Sequence, residues 1–308
     1  MKRPRCLFRW AVFLALMYVP SLGASECVDW GTPGFFDHAP ASLVEACLRE
    51  GASIRLRTDD GQTPLHLAAA HSSDPEVIHL LVSAGADPAA RQADGWTPMH
   101  MAARMSDRPQ IVIALALHGA DVDSIVDPRQ RPLTDRIRFR IRGVTPLMIA
   151  SEHARPHAVI SALIAAGADP NAMDQNGRSP MHYAARDNED ATIIALLVAS
   201  GGNVNAKDRD SWTPLHLAAT RNHNAKVTET LIRHGADPDA TTKGRQTPIQ
   251  QAAGHNTADV VRVLLAHASR PCAVDQDGRM AFRLAKDNPL VSGTKEYWEL
   301  HNLCYIKQ

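Results

Sequence analysis

Two kinds of short apolar stretch alternate along most of the chain. The first, as in "GQTPLHLAAA" from residue 61, opens on a hydroxyl residue and a proline and runs into Leu65, Leu67 and Ala68. Thr63 can cap a helix there, and Pro64 sits at a first position where a missing N–H costs nothing. The second kind, "DPEVIHLLVSAGA", opens on Asp74 and Pro75 and sets Val77, Leu80 and Leu81 at helical spacing. Gly85 closes that helix, because glycine accepts left-handed backbone at no steric cost. The polar residues 85–95 then run as an extended finger into the next threonine–proline pair.

One stretch breaks the pattern. In "DRIRFRIRG", residues 135–143, Arg136, Arg138, Arg140 and Arg142 alternate with Ile137, Phe139 and Ile141. A period of two belongs to a strand and puts the arginines on one face and the apolar residues on the other.

Aligning the chain with itself shows a repeat. "TPLH" begins at Thr63, "TPMH" at Thr97, "TPLM" at Thr145, "SPMH" at Ser179, "TPLH" at Thr213 and "TPIQ" at Thr247, with "MAFR" at Met280 in the equivalent place. The steps are 34, 48, 34, 34, 34 and 33 residues. A T-P-L-H-x-A core at this period resembles the ankyrin-repeat family, over roughly residues 30–303, and the chain is similar to exported bacterial members of it. The resemblance implies an all-α repeat solenoid of stacked helix-turn-helix units with β-hairpin fingers, one of them enlarged, and a cap at each end. One such unit cannot bury both of its helices alone, so stacking is what stabilises it.

The expected division is a secretory leader over 1–24, an N-terminal capping repeat over 27–58, six repeats over 59–276 with an insertion at about 124–143, and a C-terminal cap and tail over 277–308. Phe35, Phe36, Val44 and Leu48 are expected to cover the first end, and Tyr297, Trp298 and Leu300 the last. The leader is read from Lys2, Arg3, Arg5 and Arg9, an apolar run from Trp10 to Val19, and small or turn-forming residues up to Ser25. A periplasmic or secreted location follows. Glu26 before Cys27 is the wrong kind of residue for a lipobox, which needs a small one.

The whole chain has 33 basic and 33 acidic residues, and the leader carries four basic and no acidic ones. What remains is mildly acidic, which argues against general nucleic-acid binding. Beyond the leader stand Cys27, Cys47, Cys272 and Cys304. Four cysteines allow three connectivities and sequence does not choose among them. Pairing within each end, Cys27 with Cys47 and Cys272 with Cys304, is the simplest. No Cys/His spacing suggests zinc, so disulfides in an oxidising space are the better reading.

His66, His100, His182 and His216 recur one repeat apart, too far to share an ion. The ankyrin resemblance implies that each hydrogen-bonds the local turn. His153 and His157 flank Pro156 and read as a solvated turn. No nucleophile elbow, zinc-protease, P-loop or dinucleotide signature is present, so neither an enzyme nor a cofactor is expected.

Binding is the remaining class. The resemblance implies that partners dock on the concave face formed by fingers and first helices. Trp96 and Trp212 precede the TP pair and are either partner anchors or packing over the adjacent finger. Tyr183, Arg104, Arg186 and Arg221 follow the motif at the ends of first helices. In the insertion, residues 124–144 hold six arginines and two aspartates. Those arginines either guard a lone strand edge, pairing with Asp123 and Asp127, or grip an acidic or phosphate-bearing surface. The main expectation is a monomeric, non-enzymatic scaffold that binds an unknown partner protein after export. Binding of an anionic polymer or membrane surface by the basic finger is the first alternative. An inhibitor, immunity or effector protein that occludes a partner enzyme is the second.

Overall fold

A computed structural model of the protein describes residues 27–127, 142–153 and 156–305. The leader and Arg136, Arg138 and Arg140 lie outside the described residues. Among the described residues there are sixteen helices and no strand. Twelve form six consecutive pairs: α3 (Pro64–His71) with α4 (Pro75–Ser83), α5 (Pro98–Met105) with α6 (Pro109–Leu117), α7 (Pro146–Glu152) with α8 (His157–Ala165), α9 (Pro180–Asp187) with α10 (Thr192–Ala199), α11 (Pro214–Arg221) with α12 (Ala225–Arg233), and α13 (Pro248–His255) with α14 (Ala258–His267). They are flanked by α1 (Pro33–His38) and α2 (Ala41–Arg49) at one end and by α15 (Ala281–Lys286) and α16 (Lys295–Tyr305) at the other.

The first helix of each pair starts where the motif places it. Thr63, Thr97, Thr145, Ser179, Thr213 and Thr247 are the N-caps, each followed by proline. First helices pack on first helices of the next pair. One layer of the core is Leu65, Met99, Leu147, Met181, Leu215 and Ile249, one residue per repeat, none more than 1% exposed. A parallel layer from the second helices is Val77, Ile111, Val159, Ile193, Val227 and Val260, all fully buried. Each such side chain contributes about 1.5–3 kcal/mol when removed from water. Buried alanines such as Ala68, Ala102, Ala184 and Ala218 let the first helices approach closely.

The fingers differ from the expected β-hairpins. Each described finger tip is closed by a pair of bonds, such as Gln92 N–H to Trp96 O at 3.0 Å with Gly95 N–H to Gln92 O at 2.9 Å. One pair is too short to make a strand ladder. The tips instead join in series: Ala93 N–H donates to Asp60 O, Gln175 N–H to Arg142 O, Arg209 N–H to Asn176 O, Lys243 N–H to Asp210 O, and Gln276 N–H to Gly244 O, at 2.8–3.1 Å. Glycine holds most of these tips. At Gly95, with φ 81°, a Cβ would come within 2.3 Å of Asp127 O, so both the backbone angle and the close approach require it.

The base of the insertion is closed. Val126 N–H donates to Val144 O at 2.9 Å and Gly143 N–H to Val126 O at 3.0 Å, with both valines buried. The Asp123 carboxylate accepts from Asp169 N–H of the next repeat at 3.0 Å, and its expected pairing with the arginines falls on residues outside the described ones.

Cys27 is bonded to Cys47 and Cys272 to Cys304, with Cα–Cα distances of 5.7 and 5.3 Å. Trp30 joins Phe35 and Phe36 in an aromatic cluster at the first end, and its indole N–H donates to Ser53 O at 3.0 Å. At the other end Leu300 is buried, but Trp298 is 53% exposed and does not serve as the expected cover. The Trp298 ring meets Tyr297 and His301 edge-on, in a cluster where His301 stacks on Tyr305 and Phe282 meets both edge-on.

Candidate functional site

The histidines carry structure. In the first repeat Nδ1 of His66 accepts from Thr63 N–H at 3.2 Å and lies 2.8 Å from its hydroxyl, while Nε2 lies 3.1 Å from Trp96 O. Accepting at Nδ1 leaves the proton on Nε2, so the ring donates to the next finger. His100, His182 and His216 do the same, reaching Val144 O, Trp212 O and Gln246 O at 3.0–3.1 Å. Each ring therefore ties its own helix start to the following repeat, a longer reach than the local turn alone. Burial pushes the pKa of His66, His100 and His216 down to about 4 and lowers that of His182. Gln250 reproduces the pattern without a titratable group: its Oε1 accepts from Thr247 N–H at 2.8 Å and its Nε2 donates to Arg279 O at 2.8 Å. Met148 accepts weakly from Thr145 N–H at 3.4 Å and has no donor to send onward. Among the described residues no group of three or more potential metal ligands converges.

Four of the residues singled out from sequence meet elsewhere. Trp96, Arg104, Tyr183 and Arg186 line one cleft of about 900 Å³ between first helices and finger tips of neighbouring repeats. Arg104, at the end of α5, lies over the Trp96 ring at 5.2 Å, and Arg186, at the end of α9, lies over the Tyr183 ring at 5.2 Å. Trp96 and Tyr183 are each 9% exposed, so they form a floor more than projecting anchors. The Tyr183 hydroxyl donates to Asp174 Oδ2 at 3.0 Å, and burial followed by that carboxylate raises its pKa. Arg186 is held by Glu152 and Asp187; burial opposes its charge, but these carboxylates outweigh it and raise its pKa.

Of the other described candidates, Trp212, Arg221 and Arg142 are not among the lining residues of this cleft. Trp212 is half-buried with its ring 5.9 Å from His216, while Arg221 and Arg142 are exposed. Arg136, Arg138 and Arg140 are outside the described residues.

Sequence reasoning missed the other wall of the cleft. Arg178, Asp208, Arg209 and Asp210 come from two finger tips, and Glu152 and His153 from the end of α7. Asp208 uses Oδ1 to accept from Asp210 and Trp212 N–H groups at 2.9 Å and Oδ2 to accept from Arg178 at 3.3 Å. The signal available was the charge run "KDRDSW" at a finger tip, where an aspartate that caps its own turn frees the neighbouring side chains to point outward. A second cleft, of about 860 Å³, lies beside the Cys272–Cys304 disulfide between Arg245, Leu265, Pro271 and Leu303, and holds none of the expected binding residues.

A search of the curated proteins finds no match to the chain. The family profile described as "Ankyrin repeats (3 copies)" matches residues 37–125 and 147–242, more than half of the chain. With the threonine–proline caps, the paired helices and the finger tips in series, that match makes the chain a member of the ankyrin-repeat family.

Proposed function

We propose that this protein is a non-enzymatic scaffold that acts after export and binds a partner protein in the cleft between its first helices and finger tips. Ankyrin repeats are in general protein–protein interaction modules and typically do no chemistry of their own. The observation that carries the reading is the convergence of Trp96, Arg104, Tyr183 and Arg186 on a single cleft of about 900 Å³. Stacked rings under cationic rims offer rigid contact area with little side-chain entropy left to lose. The bonded cysteine pairs are consistent with an oxidising compartment, and no described helix is long and apolar enough to cross a membrane. Export itself rests on the leader read over residues 1–24.

The test is site-specific photo-crosslinking in the native envelope. A crosslinker at Arg104 or Asp210 should capture one partner band that the same probe at Leu117, on an outer helix, does not. Equal capture from both faces, or from neither, would remove the cleft from consideration.

A second reading is favoured by the charge of residues 124–144, where six arginines face two aspartates. There the enlarged finger binds an anionic polymer or membrane surface. Replacing Arg136, Arg138, Arg140 and Arg142 with serine should then abolish salt-sensitive retention on anionic vesicles, and unchanged retention would reject it.

A further inference from the structure

We infer that the client segment bound in this cleft is acidic, with one carboxylate placed on Arg104 and another on Arg209. The inference rests on the reading of the cleft as the partner site and adds the chemistry of what enters it.

Not every arginine of the cleft has a carboxylate partner among the described residues. Arg178 is taken by Asp208 at 3.3 Å, Arg186 by Glu152 and Asp187, and Asp210 by Lys243 at 3.8 Å. Asp174, beside the floor, is spent on Tyr183 and on the N–H groups of Asn176 and Arg178. Arg104 and Arg209 remain, both exposed and neither with an acidic partner among the described residues. One stands at a helix end and one at a finger tip, and both line the same cleft.

Their setting suits a carboxylate. Arg104 makes a cation–π contact with Trp96, its guanidinium carbon 5.2 Å from the ring centroid, and a guanidinium offers a planar anion a two-point contact. The same cleft is lined by the largely buried apolar side chains Trp96, Val144, Ile149 and Tyr183. An extended peptide with an apolar residue flanked by Asp or Glu meets both features at once. A basic segment would face two uncompensated cations.

Random-peptide display on the immobilised protein, with selection repeated on Arg104→Glu/Arg209→Glu, tests this. Both side chains are exposed, so the variant should keep the wild-type helical circular dichroism and melting curve. The expected result is enrichment of Asp and Glu around an apolar residue. A selected peptide, labelled and followed by fluorescence anisotropy, should then lose about tenfold or more in affinity on either single arginine change. Arg104→Lys should lose part of it, since the charge stays while the fork and the stack go. The double charge reversal should instead select basic peptides. Peptides enriched without acidic residues but displaced by Tyr183→Ala would overturn the acidic client and leave the cleft reading standing. Acidic peptides bound equally by wild type and both arginine variants would also overturn it. No enrichment at all would overturn both.

Discussion

The first two repeats and the four that follow are built on the same helices but joined by different chemistry. In the later part, buried asparagines at the interhelical turns link each repeat to the one before. Asn188 donates to Ser151 and His153 carbonyls, Asn222 to Ala185 and Asn188, Asn256 to Ala218, Ala219 and Asn222, and Asn288 to Ala253 and Asn256, all at 2.7–3.2 Å. A second series runs along the fingers, where Asn171 and Asn205 donate to Gly201 O and Gly235 O and accept from Asn203 and Asp237 N–H groups. In the first two repeats the turn positions are Ser72 and Ser106, whose hydroxyls bond only within their own turn, and Ala89 stands at the finger position. Guanidinium groups add a link there, Arg57 donating to Gly61 O and Arg91 O and Arg91 to Gly95 O and Ile125 O at 2.8–2.9 Å, and only Asp123, which accepts from Asp169 N–H, stands in for the finger asparagine.

The difference matters because burial sets what a hydrogen bond is worth. A buried carbonyl left without its donor carries a full desolvation penalty, whereas a half-exposed one turns to water. The early part of the stack should therefore open before the later part.

The largest test is acid. Four buried histidines are neutral in the fold, while in the unfolded chain they protonate near pH 6.5. As pH falls from about 6.5 toward the folded value of about 4 for His66, His100 and His216, the unfolded state binds protons that the fold refuses. Stability falls by up to about 1.4 kcal/mol per pH unit for each histidine, and above that window the contribution is complete. Protonation would also turn Nδ1 from an acceptor into a donor facing a threonine N–H. The two parts carry two of these histidines each, so fluorescence of Trp30 and Trp96 should change at higher pH than that of Trp212 and Trp298. Replacing all four histidines with glutamine, as at Gln250, should flatten the response between pH 6 and 4.5.

Reduction should rank next. Each disulfide closes a loop worth about 3 kcal/mol in the chain-entropy model. Hydrogen exchange should rise first across α1 and α2 after reduction, because that end abuts the repeats without asparagine links; faster exchange in α15 and α16 would reverse the ranking.

Asn222→Ala should cost about 2–3 kcal/mol by urea unfolding, since two buried carbonyls lose their donor. Ser72→Ala and Arg57→Ala should each cost less than about 1 kcal/mol. Equal losses would erase the distinction between the two parts.

The smallest effect concerns two finger tips. Ser211 and Arg245 occupy left-handed backbone, at φ 61° and 58°, where the other repeats have glycine. Arg245→Gly should gain about 1 kcal/mol by relieving that strain, raising the melting temperature slightly.

Much of this was legible in the residues. Thr63 and Pro64, their five counterparts, and Gly85 mark helix starts and stops by local chemistry, which needs no partner repeat. The asparagine series was also present as a spacing of 34, 34 and 32 residues from Asn188 to Asn288. It went unread because a lone asparagine between helices is ordinary turn chemistry until its donors are traced to another repeat. Trp96 and Tyr183 were recognisable as candidates, yet their role as a buried floor and the place of Arg209 in the same cleft depend on which repeats lie side by side.

By itself the sequence determined the family and the helix ends, because these follow from caps, prolines, glycines and periodicity within one unit. Only the tertiary structure decided that His66 reaches the carbonyl of Trp96, that Asn222 serves the repeat before it, and that Arg104 and Arg209 line one cleft with no carboxylate partner of their own among the described residues. These are contacts across about a repeat length of chain or more, and stacking, which buries what one unit cannot, is what brings their atoms within hydrogen-bonding range.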